Sequence, residues 1–159
     1  MAFKVGDRVV YPHHGVAIIK KKESKVAFGE KTDYFILQMM HGDLTLSVPA
    51  KNAELVGMRP PISNEDVEDL FRLLSKRDVR EPANWSRRFK NHQEKMKSGD
   101  VYQVAEVVRN LALREKAKGL STAEKSMLER ARGILVSELS FALRISEEEA
   151  ESRLDSKLD

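Results

Sequence analysis

Two adjacent histidines, His13 and His14, are the residues in this chain whose type most readily suggests chemistry, because histidine binds metals and moves protons near neutral pH. They lie between Pro12 and Gly15. Neighbouring residues of an extended segment point to opposite sides, so both imidazoles do not easily reach one metal ion. The flanking proline and glycine favour a turn. Because the chain also has no cysteine to supply a thiolate ligand, we predict no metal site.

Sequence motifs of catalysis are absent from the chain. There is no Walker loop, no Gly-x-Ser-x-Gly elbow, no His-Glu-x-x-His and no dinucleotide fingerprint. Carboxylates do cluster, at 65–69 and 147–149, but these stretches open predicted helices, where acidic residues cap and solvate. We therefore predict a protein that is not an enzyme, with no catalytic residues and no cofactor.

The segment 81–90, EPANWSRRFK, combines the single tryptophan of the chain with three bases. Asn84 is a residue type that caps helices, which places Trp85 in the first turn of a helix. Basic side chains bind phosphates, and an exposed aromatic ring can stack on a base or wedge at a base step. The segment is therefore a candidate contact for DNA. From Trp85 through residue 97 only Glu94 opposes five bases, which are Arg87, Arg88, Lys90, Lys95 and Lys97.

A structural interpretation of the same segment stays open at this point. Most tryptophans are largely buried, so Trp85 can pack against a helical bundle while the bases solvate the far side of the helix. Phe89 follows four residues later and would share its face in a core cluster. Position in the sequence does not choose between the two interpretations.

Short strands are predicted up to about residue 56. β-branched and aromatic runs alternate with turn residues and indicate about five strands, near 3–11, 15–19, 25–28, 33–39 and 44–48. So short a chain encloses a core by curling its sheet, so we predict a small SH3-like β-barrel over residues 1–58. Pro60 and Pro61 interrupt regular structure and make 59–62 a linker.

Beyond the linker, residues 63–159 show helical periodicity and are predicted to form five helices. The fold class is therefore α+β with two domains, a small β-barrel followed by an all-α compact domain. Capping residues mark the five helix starts: Ser63, Asn84, Asp100, Ser121 with Glu124 in a capping box, and Ser146 before three glutamates.

The overall composition is that of a soluble globular protein, with 41% hydrophobic and 33% charged residues and a net charge of +3. No signal peptide or long apolar run is found, so we expect a cytoplasmic protein without membrane association. The charge is segregated, because residues 70–133 hold sixteen bases and eight acids between acidic flanks. This pattern suits a helical domain with one side facing DNA, although solvated helix faces also produce it.

Residues 5–16, VGDRVVYPHHGV, resemble the opening of the CarD/CdnL family of bacterial transcription regulators. The resemblance covers nearly the full chain. The later matching segments, in the family's order, are VPA at 48–50, NWSRR at 84–88, SGDV at 98–101, VAEVVR at 104–109, LS at 120–121 and EKSML at 124–128.

This resemblance implies a Tudor-like N-terminal domain that binds the β subunit of RNA polymerase, like the polymerase-interacting domain of the transcription-repair coupling factor. In the family, docking uses an exposed strand edge and basic side chains. The candidate positions here are Lys25, Ser47, Val48 and Pro49, and Ser47 stands where some relatives carry arginine.

The resemblance also implies that the helical domain contacts promoter DNA at the upstream edge of the transcription bubble. A tryptophan matching Trp85 wedges into the minor groove, residues matching Arg87, Arg88 and Lys90 lie on the DNA backbone, and Lys125 is a further candidate. A protein that binds the melted promoter better than the duplex stabilises the open complex without catalysis. We expect a monomer, associated with the nucleoid through RNA polymerase.

Two other functions fit parts of the pattern. A protein–protein adaptor of the transcription machinery would present the basic helix to an acidic partner and make no DNA contact. An independent sequence-specific DNA-binding protein fits less well, because no helix-turn-helix pattern is found and the basic cluster suits phosphates better than base edges.

Overall fold

The computed structural model describes residues 3–11, 15–40, 44–53 and 58–159. The chain divides into two compact units, Met1–Pro61 and Ile62–Asp159. The boundary falls within the segment 59–62 that the sequence marks as a linker. The strands belong to the first unit and the five α-helices to the second.

Among the described residues of the N-terminal unit, four strands form one antiparallel sheet, and neighbours in the sheet follow chain order. The sheet curls into a Tudor-like half-barrel, which with the five helices confirms the predicted fold class. In the described part of the chain the first and last strands are its edges. The strands are β1 Arg8–Tyr11, β2 Gly15–Ala27, β3 Glu30–Met39 and β4 Thr45–Pro49.

The prediction of separate strands at 15–19 and 25–28 is wrong, because both belong to β2. The polar residues 20–24 continue the ladder with β3, with one register shift between Ile19 and Lys21. These residues are largely exposed to solvent, so the strand needs no apolar alternation there. Backbone pairing alone keeps the middle of β2 extended.

A two-residue turn, Phe28-Gly29, joins β2 to β3. Both residues have positive φ, 53° and 79°, as a type I′ hairpin turn requires. Glycine accepts this conformation freely, whereas a bulky residue rarely does. The Phe28 side chain is also fully exposed.

Alternation along the strands builds the N-terminal core. On β3, Phe35, Leu37 and Met39 are buried, while the residues between them lie on the opposite face. Arg59 forms an isolated bridge to Val10 of β1 by two backbone hydrogen bonds, just after the core of this unit.

The predicted helix starts are confirmed, because every capping side chain accepts a hydrogen bond from the backbone at the start of its helix. Ser63 caps a short 3-10 turn, Asn64–Asp66, that leads into the first helix. The helices are α1 Val67–Ser75, α2 Trp85–Ser98, α3 Val101–Ala117, α4 Thr122–Leu143 and α5 Glu147–Leu158.

The helical core is formed by α1, α3, α4 and α5, and the apolar stripe predicted for α1 is buried in it. From α2, which is described along its whole length, only Met96 joins the buried apolar cluster. The first turns of α2 therefore pack through polar contacts.

No helix among the described residues is long and apolar enough to cross a membrane. Nor do those residues contain a group of three or more potential metal ligands. His13, His14 and His41 lie outside the described ranges, so the expectation that they bind no metal stays a prediction.

Candidate nucleic-acid interface

Trp85 is the first residue of α2 and lies at the protein surface. The side chain of Asn84 accepts a hydrogen bond from the backbone N–H of Arg87 at 3.0 Å, which starts the helix. The indole is 43% exposed and is not part of the helical core. The interpretation of Trp85 as a buried core residue is therefore wrong, because α2 turns a polar face toward the bundle at this end.

Trp85 stacks on Phe89, one helical turn later. The ring centroids are 4.9 Å apart and the ring planes differ by 9°, which is a stacked arrangement. The shared face predicted from the four-residue spacing is present, but it lies at the surface. The pair forms a flat aromatic platform whose outer ring is open to solvent.

A single carboxylate, that of Glu124 on α4, holds the indole. The Nε1–H of Trp85 donates to Glu124 Oε1 at 3.2 Å. The same oxygen accepts from the backbone N–H and the hydroxyl of Ser121, at 3.2 and 3.0 Å, as part of the α4 capping box. The start of α4 therefore fixes the side chain at the start of α2.

Two guanidinium groups face the other oxygen of Glu124. Arg88 Nε lies 3.5 Å and Arg114 Nε 3.8 Å from Oε2. Burial raises the pKa of Glu124, but hydrogen bonds from Ser121 and Trp85 and the charge of Arg88 outweigh it, so the pKa lies below the ordinary 4.5. The carboxylate is ionised at neutral pH.

The placement of Arg88 differs from the prediction of a DNA-backbone contact. Its side chain is only 2% exposed, and besides facing Glu124 it donates to the carbonyls of Pro82 and Ala83. A guanidinium so buried does not reach an external phosphate. Arg88, His92 and Met96 follow one another at intervals of four on the buried face of α2, and this spacing is the sequence signal that could have revealed it.

His92 and Glu81 form a second buried contact, which the sequence did not predict. His92 is 1% exposed, and its Nε2 lies 2.5 Å from Glu81 Oε1. Burial raises the pKa of Glu81, yet hydrogen bonds from His92 and Asn110 and the charge of Arg88 bring it below the ordinary 4.5. This contact ties the segment before α2 to the helix itself.

Arg87, Lys90 and Lys125 are exposed, as a role in binding phosphates requires. In the helical unit, which is described throughout, they have no ion-pair partner, whereas Lys95 is paired with Glu106 at 2.7 Å. Lys125 follows Glu124 in the first turn of α4. Trp85 and three of its predicted companions therefore share the end of the unit where α2 and α4 begin.

The residues predicted to contact polymerase lie on β2 and β4. Lys25 and Ser47 are exposed, and β4 is an edge strand of the sheet. Tyr34 links the two strands, because Lys25 Nζ lies 5.6 Å from its ring centre and Pro49 is its partner in register. Val48 is only 3% exposed and packs in the core, so only its backbone is available to a partner.

Comparison with known proteins assigns the two units. The model of the CarD-like/TRCF RID domain matches residues 3–62, and the model of the CarD C-terminal domain matches residues 69–155. The chain belongs to the CarD family of transcription factors, as the sequence resemblance predicted. A Bacillus subtilis (strain 168) relative named "Putative transcription factor YdeB" is 31% identical over 150 residues, which span 94% of this chain and 98% of that protein.

Proposed function

We propose that this protein regulates transcription initiation by binding the β subunit of RNA polymerase and promoter DNA at the upstream edge of the transcription bubble, acting as a monomer. The observation that carries the DNA contact is the surface stack of Trp85 on Phe89, anchored by Glu124. An indole presented in this way suits a wedge in the minor groove.

The bases beside the stack supply affinity for the DNA backbone. Arg87, Lys90 and Lys125 are exposed and without an ion-pair partner in the helical unit, so phosphates compete with no carboxylate for them. Contacts of this kind fix the position of a protein on DNA without reading sequence. Base-step unstacking by the indole costs about a few kcal/mol, which the new contacts offset.

The polymerase contact is proposed for the edge of β4 and the adjoining face of the sheet. A partner strand can pair with backbone groups at a sheet edge, and side chains beside it then add specificity. Lys25, Ser47 and Pro49 would face the partner, whereas Val48 would take part through its backbone.

Binding to both RNA polymerase and promoter DNA stabilises the open promoter complex by linkage. A ligand shifts an equilibrium only by the difference of its affinities for the two states. A coupling of about 1–3 kcal/mol corresponds to roughly 5- to 150-fold in the ratio of open to closed complexes.

The decisive experiment is Trp85→Ala in a measurement of open-complex lifetime. We expect a shorter lifetime with the fold and polymerase binding retained, because Trp85 lies at the surface of the helical unit and outside its core. Asn91→Ala, an exposed change on the same helix, is the matched control and should leave the lifetime unchanged. An unaltered lifetime at full occupancy of the Trp85 variant would contradict the wedge.

Footprinting separates this function from that of a protein–protein adaptor. With the protein bound to a polymerase–promoter complex, we expect added protection at the upstream edge of the bubble. An adaptor without DNA contact would leave that protection unchanged.

A further inference from the structure

We infer that Glu124 is a positioning residue for Trp85, holding the indole in the orientation in which it meets DNA. The inference deepens the proposed function and rests on it for its DNA consequence. Its structural part, the control of the indole by a carboxylate on another helix, stands on contacts within the protein.

The indole is restrained from two directions. Phe89 covers one ring face, and Glu124 holds the ring edge through Nε1. Stacking alone allows the indole to slide or rotate within its own plane. A hydrogen bond from its single N–H donor selects one orientation. An aromatic wedge so restrained loses little rotational freedom on binding.

The carboxylate is itself immobile. Glu124 is 2% exposed, and its Oε1 also accepts two hydrogen bonds from Ser121. A hydrogen bond to an ionised acceptor is roughly twice as strong as one between neutral groups. Glu124 therefore gives the indole a fixed and strong anchor.

The two arginines remove the electrostatic cost of this arrangement. A lone carboxylate beside a DNA-contacting ring would repel phosphates, but Arg88 and Arg114 both face Oε2 of Glu124. The cluster of one acid and two bases is net positive. Arg88, which was predicted to bind DNA directly, then acts through Glu124 as a neutralising partner.

The chain offers a reporter for this inference, because Trp85 is its only tryptophan. The indole N–H gives one resonance in a proton–nitrogen correlation NMR spectrum, and fluorescence excited selectively at the red edge of indole absorption reports on Trp85 alone. Neither measurement requires DNA or polymerase.

Three variants of the 159-residue chain test the inference. In Glu124→Ala we expect an upfield shift of the indole N–H resonance, faster exchange of that proton with solvent, and stronger quenching of Trp85 fluorescence by acrylamide. Glu124→Gln retains a carbonyl acceptor and should give an intermediate shift, which is rescue by the conservative change. Ser121→Ala removes the hydroxyl that also donates to Glu124 Oε1 but keeps the carboxylate, so its indole resonance should shift less than that of Glu124→Ala. A resonance and quenching equal to the wild type in folded Glu124→Ala would overturn the inference.

A measurement on the wild type covers the case in which the Glu124 variants do not fold. The indole proton should exchange more slowly than that of N-acetyl-tryptophanamide at the same pH, since it is hydrogen-bonded. Equal exchange rates would overturn the inference without any substitution.

Open-complex lifetime separates the inference from the proposed function. If Glu124 positions a working wedge, Glu124→Ala should shorten the lifetime by about 5-fold or more, the range of coupling typical between sites. A released indole with an unchanged lifetime at full occupancy would support the positioning of Trp85 and count against the wedge.

Discussion

Arg88 and Glu124 face each other as a buried ion pair, with 2% of each side chain exposed and 3.5 Å between Nε and Oε2. Removing one partner of such a pair leaves the other charge uncompensated in the interior. The contact therefore concerns the stability of the helical unit as well as the orientation of Trp85.

Truncating the two adjacent arginines of α2 should change the free energy of unfolding by very different amounts. We expect Arg88→Ala to lower the free energy of unfolding by about 3 kcal/mol, the low end of the cost of breaking a buried pair, because Arg114 still faces Glu124. Arg87→Ala removes an exposed side chain and should change it by less than about 0.5 kcal/mol. Urea denaturation of the two variants checks this, and similar losses in both would contradict the assignment of Arg88 as buried.

Salt dependence should identify which bases contact phosphates. For Arg87→Ala, Lys90→Ala and Lys125→Ala, the slope of log affinity against log salt for promoter DNA in the polymerase complex should become shallower by about 0.9 per lost contact. Arg72→Ala is the control, because Arg72 lies on α1 and is paired with Asp69. A slope unaffected by the three substitutions would exclude those bases from the interface.

Acid should destabilise the helical unit through Glu81 and Glu124. The pKa of each lies below its ordinary value of 4.5 in the folded protein. Each therefore contributes stability that is present above pH 4.5 and is lost as the pH falls through the lowered folded pKa. Urea midpoints measured from neutral to acidic pH should show this decline, and Glu81→Gln should be less stable at neutral pH and decline less steeply. Equal declines in the two proteins would contradict the prediction.

Polymerase affinity should increase when arginine replaces Ser47. Ser47 is exposed on the edge strand β4, so Ser47→Arg adds a charge to the proposed docking face. Thr45→Arg adds the same charge to an exposed site two residues earlier and serves as the control. Binding to the isolated β subunit measures both, and an equal gain would indicate nonspecific charge attraction.

The helix starts are the part of this fold that the sequence predicts well, because their signals are local. A capping side chain accepts a hydrogen bond from the backbone within three residues of itself. Asn84, Asp100 and Ser121 therefore indicate where their helices begin without any tertiary information. Strand boundaries were harder. The polar run at 20–24 carries no strand periodicity and is extended because β3 pairs with it.

The candidate site was predicted in composition but not in arrangement. Glu124 has a local role in the α4 capping box that fully explains its presence in the sequence. Its tertiary role, holding Trp85 and facing Arg88, depends on a contact between residues 39 positions apart in the chain. The sequence therefore predicts the capping role of such a residue but not its tertiary contacts. For the same reason Arg88 could not be distinguished from its exposed neighbour Arg87 by residue type.

The Phe28-Gly29 turn makes the N-terminal unit less stable than its fold allows. A left-handed conformation costs an ordinary residue roughly 1–2 kcal/mol, and Phe28 recovers none of this through burial because its side chain is fully exposed. Asparagine tolerates the same backbone geometry, so Phe28→Asn should raise the thermal midpoint of the protein. The hairpin is thus a position at which the thermal stability of this regulator can be raised by engineering. The change leaves the residues proposed to contact DNA and polymerase as they are.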